Sequence, residues 1–169
     1  MPLSKVPADA LALGAARSNF GAGAVLQVVS ATKVNAFSTS STSPVDVTGL
    51  SVSITPTSST SKMLVVVQLF CGSDVNSATY ANIVRNSTPL NVSTAGGSFN
   101  SSAGMYLGSS NLYLTLPLTF LDSPNTASAT TYKVQIFAGT STGAVGINRR
   151  ISDLVIGGAS TITVMEIAA

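Results

Sequence analysis

A chain of 169 residues is enough for one domain and too short for two of ordinary size. Only 8% of its residues are charged, against about 25% in an average soluble protein, and 26 Ser with 19 Thr supply the polarity instead. His and Trp are absent and Cys71 is the single Cys, which excludes an intrachain disulfide, an imidazole base or ligand, and every Cys/His zinc site.

Residues 1–23 differ in character from the remainder of the chain. Pro2 and Pro7 punctuate the start, and Ala8–Ala16 holds strong helix formers interrupted by Gly14, so one or two helical turns are expected from Pro7 or Asp9. Lys5 followed by Ala10–Ala16 imitates a signal peptide, but the apolar stretch is short and headed by Asp9, and it reads as a structural segment. Leu3, Val6, Leu11, Leu13 and Phe20 are many apolar residues for a segment that cannot make its own core, so they are the candidate anchoring residues. Gly21–Ala24 reads as a hinge. Such an arm docks either on its own body or on another subunit or larger assembly.

From residue 24 to 169 the periodicity is that of strands. Leu50, Val52 and Ile54 alternate with Ser51, Ser53 and Thr55. Met63–Phe70 is apolar on both faces apart from Gln68, the pattern of a central strand buried on two sides. Leu112, Leu114, Leu116, Leu118 and Phe120 alternate with polar or small neighbours. Pro117 among them cannot donate to a ladder and marks an edge strand or a bulge. Tyr132, Val134 and Ile136 form a further alternating run, and Thr161–Ile167 closes the chain with a β-branched one. Turn clusters at Ser38–Pro44, Thr55–Ser61, Asn86–Pro89, Thr94–Gly104, Asp122–Ala129 and Gly139–Gly146 separate roughly eight to ten strands. The fold expected is all-β, a jelly-roll-like sandwich preceded by an arm. So few charges leave strand edges without their usual protection by Lys, which points to a homo-oligomer.

Candidate chemistry is thin. Gly139–Gly143 matches G-x-S-x-G, yet no histidine can take the serine proton and no helix begins after it, so it reads as a turn. Ser30/Lys33 and Ser59/Lys62 fit S-x-x-K, but on a strand residues three apart face opposite ways. The carboxylates Asp9, Asp46, Asp74, Asp122, Asp153 and Glu166 are scattered, and none makes a calcium loop. Asp46 and Asp122 sit beside turns, where Asp caps backbone, and Glu166 reads as an outward strand residue paired with a cation. The sequons at Asn86, Asn91 and Asn100 are expected by chance among so many Ser and Thr, and Tyr80, Tyr106 and Tyr113 are the outward aromatic candidates. Only Arg149 and Arg150 are adjacent cations, so no nucleic-acid partner is expected. No apolar run reaches the roughly 20 residues that span a bilayer. No catalytic set, cofactor or metal is expected.

Ala24–Leu64 resembles a family of bacteriophage tail-fibre-like or particle-surface proteins of marine and cyanobacterial viruses. Further similarities are Leu121–Pro124, Thr131–Val134, Ile147–Arg149, Ser160–Ala169 and the opening Met1–Pro7. Pro44 stands where such proteins often carry an aromatic residue. The resemblance implies a non-enzymatic virion protein, a trimeric tail-fibre or surface-spike subunit. Residues 1–23 would then anchor it to tail or capsid proteins, with host attachment through loops such as Thr94–Ser110. The other readings are a capsid decoration protein, a module binding a host surface glycan, and a small hydrolase working through a carboxylate pair.

Overall fold

The computed structural model describes residues 21–74, 77–95, 97, 99–109, 112–152 and 156–169. The anchoring candidates Leu3, Val6, Leu11, Leu13 and Phe20 therefore lie outside the described residues. Eleven strands are formed: β1 (Val25–Lys33), β2 (Phe37–Thr39), β3 (Val45–Ile54), β4 (Lys62–Ser73), β5 (Ala78–Arg85), β6 (Thr88–Leu90), β7 (Ala103–Tyr106), β8 (Tyr113–Asp122), β9 (Thr130–Ala138), β10 (Val145–Ile147) and β11 (Ser160–Ile167).

Short strands share positions. Along one edge of β4, β11 pairs with residues 62–68 and β10 with residues 71–73, and β1 and β2 continue outward from β11 and β10. β8 takes the other edge of β4. The second sheet runs β3–β9–β5, with β6 and β7 side by side on the far edge of β5. Counted by position, the sheets read 1-8-3-6 and 2-7-4-5, so successive positions alternate between sheets except 4 and 5, which are neighbours in the second. That is the order of a jelly roll, all antiparallel.

Alternation decides which side of each strand is dry. Leu50, Val52 and Ile54 of β3, Val65, Val67 and Leu69 of β4, Tyr132, Val134 and Ile136 of β9, and Ile162 and Val164 of β11 all point between the sheets and are buried. Cys71 belongs to this core, and burial pushes its thiol up to about 12. Four turns need a left-handed backbone and place Asn there: Asn86, Asn91, Asn125 and Asn148. Asn148 is also buried, donating to the Lys33 carbonyl at 2.7 Å while its own carbonyl accepts from Ser160 at 2.6 Å. It thereby ties the β1–β2 bend to β11.

The structure departs from the expected pattern at several places. Pro117 does lie on an edge strand, since β8 pairs only with β4. Phe37–Thr39 and Val145–Ile147, within or beside expected turns, add short rungs at the far end of the first sheet. The long connection around residues 94–110 contains β7. Its Phe99 stacks on Tyr80 and Phe137, at ring-centroid distances of 5.2 and 6.4 Å, over the outer side of the second sheet. The supposed hinge is tied down from Gly23 onward, whose N–H donates to the Ala168 carbonyl at 2.8 Å.

Candidate assembly surface

β4 is central, with neighbours on both edges, but only one of its faces is buried. Met63, Val65, Val67, Leu69 and Cys71 point inward, whereas Leu64, Val66 and Phe70 are half-exposed and Gln68 is exposed. The two-sided burial expected from Met63–Phe70 is therefore not met among the described residues. Among the described residues nothing is layered over Leu64, Val66 and Gln68, so this part of the second apolar face of β4 lies on the outside.

Register carries that face across four strands. One rung joins Val28, Met165, Leu64 and Leu121, on β1, β11, β4 and β8 in turn. The next joins Ser30, Thr163, Val66 and Thr119, and the third Thr32, Thr161, Gln68 and Pro117. The twelve outward side chains include no charged group. Val28 is 55% and Leu121 49% exposed, so the apolar rung is open to solvent at both ends. Ser30 and Thr163 hydroxyls meet at 3.0 Å, a cross-strand pair that leaves the rung polar yet uncharged.

The face has a definite boundary. At its far end residues 149–151 and Gly158 lie over it: a Cβ on Gly72 would stand 2.6 Å from the Arg149 carbonyl oxygen, and one on Gly158 would strike the Phe70 ring. Tyr113 flanks Phe70 from β8, with ring centroids 5.0 Å apart. At the near end Gly23 and Ala24 bond to Ala168, so the chain enters β1 beside the end of β11 and next to the apolar rung, where Lys62 is exposed on the same face.

The outer side of the second sheet is different in kind. There Asp46 of β3 accepts from Lys133 at 2.6 Å and from Gln135 at 2.7 Å, bonds that hold its carboxyl below the usual range. This pairing replaces the backbone cap expected of Asp46. Phe99 and its loop cover part of that sheet, with Ser102 N–H bonded to Asn82 Oδ1 at 3.0 Å.

The two carboxylates that could have formed an acid–base pair are structural. Asp122 is not a turn cap; its side chain is buried and accepts from Arg85 at 2.7 and 2.8 Å and from the Tyr132 hydroxyl at 2.6 Å. Glu166 is the clearer correction, because it faces inward, fully buried, with no cation beside it. Its oxygens accept from Thr57 N–H at 2.7 Å, from Thr57 hydroxyl at 2.6 Å and from Gln27 at 2.6 Å. Burial opposes its ionisation, but the bonds from Thr57, Ser61 and Gln27 outweigh that and hold its carboxyl below the ordinary value. The two residues occupy one rung with Met63 between them, about two strand spacings or 10 Å apart along the ladder. Gly139–Gly143 is a turn into β10, and Ala144 N–H donates to Asp74 Oδ2 at 2.9 Å. Among the described residues no three of His, Cys, Asp or Glu gather in one place. Tyr106 is exposed, Tyr113 borders the sheet face, and Tyr80 lies under Phe99.

Fold and surface together define a jelly-roll β-sandwich whose polar residues staple the body and whose first sheet carries three uncharged rungs on its outer side. No protein-family model matches the chain, and no curated protein matches its sequence. Solved structures with a similar course of the chain come from infectious bursal disease virus. The VP2 subviral particle is 17% identical with a TM-score of 0.43, over 85% of this chain and 37% of that one. The virus-derived T=1 particle is 15% identical with a TM-score of 0.43, over 85% and 36%. The Gx strain is 13% identical with a TM-score of 0.41, over 84% and 42%. The chain thus spans about two fifths of the length of these proteins, and the likeness is one of general fold.

Proposed function

We propose that this chain is a non-enzymatic structural protein of a virion, a trimeric tail-fibre or surface-spike subunit anchored to the particle through residues 1–23. The observation that carries the reading is a stretch of three uncharged rungs on the outer face of the β1–β11–β4–β8 sheet, bordered by the exposed Lys62, on a chain with only 8% charged residues. An isolated soluble domain has no use for a surface of that kind, whereas a subunit of an assembly does. The likeness of Ala24–Leu64 to phage surface proteins supports the same reading. So does the use of Asp122 and Glu166 as staples, which leaves neither buried carboxylate open to a substrate.

The proposal divides the labour along the chain: residues 1–23 attach, residues 24–169 project, and loops at the exposed end meet a host surface, where a glycan is a candidate receptor. Deletion of residues 1–20 in the virus tests the attachment step. Folded protein that is missing from purified particles is the expected outcome; normal incorporation without the arm would remove the anchoring role.

A further inference from the structure

We infer that the outer face of the β1–β11–β4–β8 sheet is the surface on which a second copy of this chain packs. This inference deepens the assembly reading above and rests on it. It starts from β4, whose sequence is apolar on both sides while the single chain buries only one. The unburied side continues in register through Val28, Met165 and Leu121, so the unmet burial belongs to the whole sheet.

Three features select a copy of the same chain as the occupant. First, the three rungs carry no charge, and Lys62 is at their border, so the rungs meet those of another copy without like-charge repulsion. Second, four strands at about 4.8 Å spacing and three to four rungs at about 6.7 Å give a footprint of roughly 400–500 Å². Two such faces bury about 800–1,000 Å² in total, the lower edge of the range for a specific interface. Third, the face is a continuous four-strand sheet, and sheets pack on sheets at about 10 Å through interleaved side chains of this kind.

The test uses the full chain. Sedimentation velocity at micromolar concentration reads the subunit number of the parent, of Leu64→Glu and Leu64→Lys, and of a control, Ser53→Glu, on the exposed outer side of β3. The expected result is an oligomeric parent and control, monomeric Leu64 variants, and renewed association when the Glu and Lys variants are mixed. Protection of the buried Cys71 thiol from a labelling reagent reports that each variant is folded. Should the Leu64 variants not fold, Thr163→Cys decides instead: its thiol is shielded in the concentrated oligomer and becomes reactive on dilution. A monomeric parent overturns the inference, as does an oligomer indifferent to both Leu64 variants. A monomer whose Thr163→Cys thiol is shielded also overturns it, since the chain's own arm would then cover the face. Particle incorporation is read separately: a chain that self-associates through this face but is absent from virions sinks the virion reading and leaves the interface standing.

Discussion

Tyr132 reaches from the β3–β9–β5 sheet across the sandwich and donates its hydroxyl to Asp122 Oδ2, 2.6 Å away on the β8 strand of the other sheet. Arg85 approaches the same carboxylate from β5, so one acidic side chain holds two strands of the opposite sheet. Burial, followed by the bond to Asp122, raises the tyrosine's pKa and keeps its proton in place.

Removing the Tyr132 hydroxyl leaves Asp122 with Arg85 alone. Tyr132→Phe is expected to cost about 1.5–3 kcal/mol, the range for a hydrogen bond to a charged group, in a denaturant titration of the folded chain. Asp122→Ala is expected to cost roughly 3 kcal/mol, because it strands a buried phenol and a guanidinium. Arg85 remains 25% exposed, which keeps this at the lower end for a broken buried pair. An unchanged denaturation midpoint for both variants would contradict the staple.

Glu166 makes stability depend on acid pH. Its folded-state value lies below the ordinary 4.5, so the ionised group stabilises the fold above the ordinary range, and this contribution is lost as pH falls through the folded value. Glu166→Gln is expected to be about 2 kcal/mol less stable than the parent at neutral pH. Denaturation midpoints from neutral pH downward should show that gap narrowing below 4.5. A gap independent of pH would show that the carboxylate is not held ionised by Thr57 and Gln27.

Much of this body was legible in the sequence. Alternation at Leu50–Ile54 and Tyr132–Ile136 picked out buried sides correctly, and Pro117 marked an edge strand. Less legible were relations between strands. Met63–Phe70 announced two apolar faces, but one sequence does not say whether the second is covered by the chain itself or by a neighbour. Glu166 was misplaced because period-2 alternation in Thr161–Ile167 puts it on the same side as Ile162 and Val164, and a carboxylate there demands donors from a distant loop. One signal was available for the Asp122 site: a buried tyrosine needs a partner for its hydroxyl, and Asp122 stood at the end of a neighbouring run.

Gly72 is required by close approach. Gly72→Ala would place a methyl 2.6 Å from the Arg149 carbonyl oxygen and 3.3 Å from the Arg150 Cα, both on backbone that has little room to yield. The expected cost is about 1–3 kcal/mol, typical of overpacking, read as a lowered melting temperature with the strand signal in circular dichroism retained. A variant as stable as the parent would mean that residues 149–151 do not lie against the sheet.

Cys71 should report global opening. Its thiol is buried and its pKa is raised to about 12, so a disulfide reagent at mildly alkaline pH is expected to label it only as fast as the body unfolds. Rapid stoichiometric labelling of the native chain would place Cys71 outside the core.

The proposed virion role is tested most directly by electron microscopy of intact particles purified from cells that make this chain, labelled with a gold-tagged antibody against it. Gold on the particle is the predicted result: label at the tail identifies a fibre, and label spread over the head identifies a head spike or decoration subunit. Particles that carry no gold, while the chain is abundant in the same infected cells, would contradict a structural role in the virion.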